Sequence, residues 1–108
     1  MAILSKKDAM DLLNFMDIDE VPKKVTSVFL PGIDAALQAA TGFDWGTITT
    51  TYTAIDPLAK AAASFLLVRW WEDPGQKGNV AFDGLTSMLV QLEAKALKLA
   101  EAAATAQT

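Results

Sequence analysis

The feature that most constrains the fold is a segment, residues 57–73, that predicts a helix with apolar side chains on nearly all sides. Asp56 followed by Pro57 is a typical helix start, a capping carboxylate before a proline at the first helical position. Pro74-Gly75 is a typical stop. As far as Trp71, the apolar run is interrupted only by Lys60, Ser64 and Arg69. Because water-facing helices carry a polar side, we expect this helix to be the buried centre of an all-α domain.

Two helices are expected ahead of this central one. The first begins with Ser5 as capping residue and runs to Met16 with apolar residues at helical spacing. The second begins at Pro22 and ends at Gly42, since glycine suits the left-handed position after a helix. Pro31-Gly32 lies in the middle of this second helix and predicts a kink or a break there.

The segment between the second and third helices, residues 43–55, has no helical pattern. Residues 47–53 are rich in β-branched side chains, which favour an extended chain, so a loop or one short strand is expected. A lone strand would need a partner, such as a strand of another subunit. The last helix begins near residue 82 or 83, and the alanine-rich residues 101–108 are expected to fray. Its predicted apolar face consists of Leu85, Met88, Leu89, Leu92, Ala96 and Leu99. The 108 residues therefore predict a single domain of about four helices.

Composition excludes several classes of function. The chain has no cysteine and no histidine, which removes disulfides, thiol chemistry, the commonest metal ligand and the commonest general base. The net charge of −4 disfavours a sequence-independent grip on nucleic acid, which needs a basic surface. We found no apolar stretch long enough to span a bilayer, so a soluble, intracellular domain is the default expectation. We expect neither enzymatic activity nor a cofactor.

Two loop segments resemble binding motifs only superficially. The acidic residues 17–20 fail the spacing of a calcium loop, which wants glycine and glutamate where Pro22 and Val28 stand. The glycines Gly75 and Gly78 lack the spacing of a phosphate loop and follow a helix rather than a strand.

The tryptophans are candidates for contacts with a partner. Trp70 and Trp71 are adjacent, so they point about 100° apart on a helix. Either one of them faces a partner, or both are buried in different parts of the core. Trp45 in the 43–55 segment raises the same question. Arg69 can pair with Glu72 or Asp73 within its helix, or form an ion pair across a subunit boundary.

Four features in order along the chain resemble the phage head–tail connector (adaptor) proteins. They are a short leading helix at 5–13 with an acidic turn at 17–19, an alanine-rich helix end and Thr-Gly at 35–42, the stretch FLLVRWWE at 65–72 in a proline-opened helix, and a loop leading into a leucine-containing terminal helix. The resemblance covers roughly residues 4–93, and the 65–72 stretch is its most distinctive part.

This resemblance implies a structural, non-enzymatic protein of the virion, made in the host cytoplasm. In the connector family about a dozen copies form a ring under the portal, which extends the DNA channel and joins head to tail. The expected partners are further copies of the chain, the portal protein and a downstream neck or tail-completion protein. DNA would pass through without specific binding, and no membrane is involved.

We assign candidate residues to three surfaces on this basis. Candidates for the subunit interface are Trp45, Tyr52, Arg69, Trp71 and Glu72. The resemblance implies that the loop after the third helix faces the channel, with candidates Gln76, Lys77 and Asn79. It also implies that the C-terminal segment docks on the portal, with candidates Lys95, Lys98, Glu101 and Gln107. The alternative from a different class is a small helical binding or regulatory module that docks a partner helix in a groove.

Overall fold

The computed structural model describes residues 3–73 and 85–106, with side chains as far as residue 102. These residues form four α-helices and contain no strand, which confirms the all-α prediction. The helices are α1 (Lys6–Leu12), α2 (Leu30–Thr41), α3 (Pro57–Glu72) and α4 (Leu85–Ala106). A short 3-10 turn (Ile18–Glu20) and a π-helical turn (Val25–Phe29) lie between α1 and α2.

Helix α3 is the centre of the core and contacts α1, α2 and α4. Its start is as predicted, since the Asp56 carboxylate accepts the Leu58 N–H at 2.8 Å and Pro57 is the first helical residue. Its buried residues are Ala59, Ala62, Ala63, Leu66, Leu67 and Trp70. Half of them are alanines, whose small side chains let neighbouring helices approach closely. Helices α2 and α4 also contact each other, so α2, α3 and α4 enclose one apolar core.

The expected break at Pro31-Gly32 does not occur, because α2 runs through both residues. The irregularity lies just before them, in the π-helical turn Val25–Phe29, where the Leu30 N–H bonds to the Val25 carbonyl five residues back. Proline has no N–H, and its ring clashes with the carbonyl four residues earlier in an α-helix. A wider turn ahead of Pro31 relieves this crowding without ending the helix.

Helix α1 is shorter than the sequence pattern indicates and ends at Leu12 rather than Met16. Asn14 takes a left-handed conformation with φ of 62°, which stops the helix. The predicted start is confirmed: the Ser5 hydroxyl accepts the Asp8 N–H at 3.1 Å, and the Asp8 carboxylate accepts the Ser5 N–H at 2.9 Å. Gly42, with φ of 80°, ends α2 as predicted.

Helix α4 packs antiparallel to α3. Lys95, in the middle of α4, bonds to Asp56 at the start of α3 at 3.1 Å. Met88, near the start of α4, and Glu72, at the end of α3, line one groove. The predicted apolar face of α4 is confirmed as the packed one; it consists of Leu85, Met88, Leu89, Leu92, Ala96 and Leu99. The helix continues to Ala106 where fraying was expected, and its predicted start at 82 or 83 lies outside the described residues. Within the described ranges, no helix has the length and apolar character to cross a bilayer.

Candidate interaction surfaces

Trp45 and Tyr52, two of the candidates for the subunit interface, are buried with 1% and 4% of their surface exposed. The Trp45 ring N–H donates to the Thr41 hydroxyl at 2.8 Å. The Tyr52 hydroxyl donates to the Trp45 carbonyl at 2.8 Å and accepts the Asp56 N–H, also at 2.8 Å. The ring of Phe43 lies against both aromatic rings. Trp45 and Tyr52 therefore fix the loop onto the core, and the prediction that they face another subunit is wrong.

The 43–55 segment is a loop and not a strand. Its threonines find partners nearby: the Thr49 hydroxyl accepts the Tyr52 N–H at 3.0 Å, and the Thr47 hydroxyl donates to Asp44 at 2.6 Å. The Thr49 N–H also bonds to the Tyr52 carbonyl at 2.8 Å. Threonine side chains that bond to nearby backbone stabilise turns in place of a sheet, so this segment needs no strand from another copy.

The adjacent tryptophans pack in two different places. Trp70 is buried in the core, whereas Trp71 is half-buried. The Trp71 ring makes edge contacts with Phe15 and Phe29, and the Lys24 ammonium lies 5.2 Å from the ring centroid. Trp71 thus joins the end of α3 to the segments on either side of the 3-10 turn, which accounts for most of its surface within one copy.

A groove of about 450 Å³ runs along the outer side of α3, between α1 and α4. We call it the α3 groove; it is lined by Leu12, Ala61, Ser64, Phe65, Val68, Arg69, Glu72 and Met88. The lining is apolar apart from Ser64 and two exposed charged residues, Arg69 and Glu72, which lie one turn apart. Two residues that the sequence proposed for an interface are therefore brought together on the same groove.

Helix α4 carries a second apolar face, which the sequence analysis missed. Val90 and Leu97 are 60% and 68% exposed, and Ala94 between them is exposed as well. We call these three residues the α4 stripe. Their spacing of four and then three residues places them on one side of the helix, about 180° from the packed side that contains Leu92. The spacing of these residues is visible in the sequence, but one apolar face was enough to explain how the helix packs, so a second face was not considered.

The portal-docking candidates are only partly in the described region. Lys95 is held by its ion pair with Asp56. Lys98 lines a shallow cleft of about 370 Å³ between α4 and residues 51–57, and Glu101 is exposed one turn further on. Gln107 and the channel-loop candidates Gln76, Lys77 and Asn79 lie outside the described residues.

Three titratable side chains have shifted pKa values, and each shift has a structural cause. Burial raises the pKa of Asp34, whose carboxylate accepts the Ile3 N–H at 3.1 Å. Hydrogen bonding to the Ser5 backbone lowers the pKa of Asp8. Burial raises the pKa of Tyr52. Each of these groups ties one segment of the chain to another, and they lie on three separate parts of the fold.

Comparison of the chain with protein-family models, with curated proteins and with solved structures finds no match in any of the three.

Proposed function

We propose that the chain is the subunit of a phage head–tail connector, a ring of about twelve copies beneath the portal that extends the DNA channel. One observation carries the proposal: a single copy has two apolar surfaces, the α3 groove and the α4 stripe, on different sides. A closed ring is built from head-to-tail contacts, and such contacts need two different and complementary surfaces on each subunit. Monomeric proteins rarely leave large apolar patches exposed to water, so two such surfaces on a small domain indicate contacts with other molecules.

The position of the distinctive sequence stretch supports the same proposal. Residues 65–72, which carry the resemblance to the connector family, form the last two turns of α3. Their outward side chains, Phe65, Val68, Arg69 and Glu72, line the α3 groove. The stretch on which the resemblance rests therefore borders a surface that is available to another molecule.

The remaining parts of the proposal concern the partners. The exposed residues Lys98 and Glu101 near the end of α4 are candidates for contact with the portal protein, and the opposite edge of the ring would receive a neck or tail-completion protein. The net charge of −4 repels DNA at a distance, which suits a channel through which DNA passes without binding. The site of action is the head–tail interface of the virion.

Native mass spectrometry with negative-stain images of the same sample tests this proposal. The expected result is a closed ring of about twelve copies with a central hole. A chain that remains monomeric throughout the accessible concentration range, and does not assemble when a portal ring is added, contradicts it.

A helical binding module is the second candidate, because the α3 groove alone has the form of a site for one amphipathic partner helix. This module would bind one partner per chain and would not self-associate. A saturable one-to-one complex with a partner protein, formed by a chain that stays monomeric alone, favours this candidate over the connector.

A further inference from the structure

We propose that the α4 stripe of one copy docks in the α3 groove of the next copy, with α4 running parallel to its neighbour's α3. This inference rests on the proposed function, since it names the contact by which adjacent subunits of a ring would meet. The binding partner of both exposed surfaces is then a second copy of this chain rather than another protein.

The two surfaces can be used at the same time by one copy. Met88 of α4 lines the α3 groove of its own chain, whereas Val90 is two residues further on and so about 200° around the helix. The stripe therefore points away from the groove that its own helix borders. A copy can receive a neighbour on one side and offer its stripe on another, which is the arrangement that a head-to-tail contact requires.

The charges beside the two surfaces are complementary in only one direction. Along α3, Arg69 comes before Glu72; along α4, Glu93 comes before Lys98, and all four side chains are exposed. With the two helices parallel, Glu93 faces Arg69 and Lys98 faces Glu72. With the helices antiparallel in the same place, each of these four charges faces one of the same sign, which is unfavourable. An antiparallel alignment that instead pairs Lys98 with Glu72 and the exposed Glu101 with Arg69 carries the stripe past Glu72, the end of α3. With the stripe over the groove, the order of charges therefore favours the parallel orientation.

The spacing of these charges is within reach of their side chains. At 1.5 Å per residue, Arg69 and Glu72 are about 4.5 Å apart along the helix axis, and Glu93 and Lys98 are about 7.5 Å apart. Around the axis, Glu93 and Lys98 lie on opposite flanks of the stripe, about 140° apart, so Lys98 reaches Glu72 across the contact. The long, flexible stem of lysine spans this distance and the axial difference of about 3 Å. Arginine has five N–H donors, so Arg69 can hold a neighbour's carboxylate beside contacts within its own chain.

This alignment also brings the apolar residues together. The two pairings differ by two residues in register, and their mean places Val90 opposite Phe65, Ala94 beside Val68, and Leu97 opposite Glu72 at the end of the groove. Alanine in the middle of the stripe allows close approach of the two helices, while Val90 packs in the groove and Leu97 packs against the carbon chain of Glu72. Burying one apolar helix face in a groove is a common mode of recognition between proteins.

Because the chain contains no cysteine, disulfide cross-linking tests the contact directly. Val68→Cys and Ala94→Cys are made in separate chains, one carrying a tag that shifts its mass, and the two are mixed and oxidised. We expect the mixed 68–94 disulfide to dominate, because a disulfide needs Cα atoms within about 7 Å. The control pairs Ala94→Cys with Lys7→Cys on α1. Dominance of the 94–94 product assigns the stripe to a second α4 and overturns the proposal, as does mixed cross-linking no greater than the control.

A charge exchange gives an independent test. Glu72→Lys and Lys98→Glu alone each put like charges together across the contact, and we expect either to weaken self-association at least about tenfold. The double variant restores the pair and should restore association. Within one copy Glu72 and Lys98 lie towards opposite ends of antiparallel helices, so rescue reports contact between copies. Controls with the same change of charge are Glu20→Lys and Lys7→Glu, both at exposed positions. A double variant as weak as the singles overturns the proposal.

These experiments separate failure of the contact from failure of the connector. Closed rings in images without the 68–94 disulfide overturn the contact and leave the connector proposal standing. The 68–94 disulfide in open filaments, with no closed ring, supports the contact and contradicts the connector.

Discussion

At the scale of single residues, Tyr52 shows how one polar atom can hold a loop. Its hydroxyl bonds to the Trp45 carbonyl and to the Asp56 N–H, both at 2.8 Å, so it joins the start of the loop to the residue that caps α3. Its ring packs against Phe43 and Trp45. The contribution of Tyr52 to folding is therefore separable into a packing part and a hydrogen-bonding part.

We expect Tyr52→Phe to lower the free energy of unfolding by about 1–3 kcal/mol, because the ring stays packed while a buried carbonyl and N–H lose their partner. Urea denaturation measures the change. Thr53→Val is the matched control, since it removes an exposed hydroxyl from the neighbouring residue. Equal effects of the two substitutions would mean that the Tyr52 hydroxyl is not structurally important.

Asp34 gives a prediction for pH dependence. Burial raises its pKa above the 3.8 of an ordinary aspartate, so the folded state holds this proton more tightly than the unfolded chain. As pH rises from 3.8 through the raised pKa, folding stability from this group falls, and above that it is constant. Asp34→Asn keeps an acceptor for the Ile3 N–H and removes the titration.

The measurement is the free energy of unfolding of wild type and Asp34→Asn in urea at a series of pH values. We expect the variant to gain in stability relative to wild type as pH rises above 3.8, and the gain to level off above the folded pKa. Taking the difference cancels the titration of the other carboxylates. A difference that does not change with pH contradicts the raised pKa.

At the scale of elements, the predictable features are those set by neighbouring residues. The starts of α1 and α3 and the end of α2 followed from Ser5, Asp56 and Gly42, because capping depends on chemistry within one turn. The end of α1 was predicted too late, because apolar spacing continues past Asn14, whose left-handed backbone the pattern does not record. The π-helical turn was not predicted, because Pro31 indicates that the helix must be irregular there but not which irregular form relieves the clash of its ring.

The candidate surfaces were harder to predict than the helix ends. Trp45 and Tyr52 are buried by the way a loop folds back on α2, and no local pattern encodes that. Arg69 and Glu72 were named because their three-residue spacing allows an ion pair within α3 or across a subunit boundary, and both line the α3 groove. The α4 stripe is a case in which the pattern was present but a second apolar face was not considered.

Asp56 allows the cap of α3 to be separated from its ion pair. Its carboxylate both accepts the Leu58 N–H and pairs with Lys95. We expect Asp56→Ala to cost about 1–2 kcal/mol of folding stability, because the cap is lost. Asp56→Asn keeps a capping oxygen and should cost about 1 kcal/mol or less, since the partly exposed ion pair contributes little. Thermal and urea denaturation of both variants, with and without 1 M salt, separates the contribution of the cap from that of the ion pair. Equal losses of folding stability in the two variants would contradict the capping role.

At the scale of the whole molecule, α4 carries apolar residues on two opposite sides. Its packed face completes the core around α3, and Leu92 on that face is fully buried. Its stripe covers nothing within the described part of the copy, because Val90 and Leu97 remain mostly exposed. Stability of one copy should therefore depend on the first face, and association between copies on the second.

Substitutions five residues apart on α4 test this division. We expect Leu92→Ala to lower the free energy of unfolding by about 2–5 kcal/mol, because it leaves a cavity in the core. Leu97→Gln replaces an exposed leucine by a good helix former and should change stability by no more than about 0.5 kcal/mol. The same Leu97→Gln substitution should weaken self-association in sedimentation experiments, because it removes apolar surface that the contact buries at the Glu72 end of the α3 groove. If Leu97→Gln destabilises the monomer as much as Leu92→Ala, the stripe packs within its own chain; if association is unchanged, the stripe is not where copies meet.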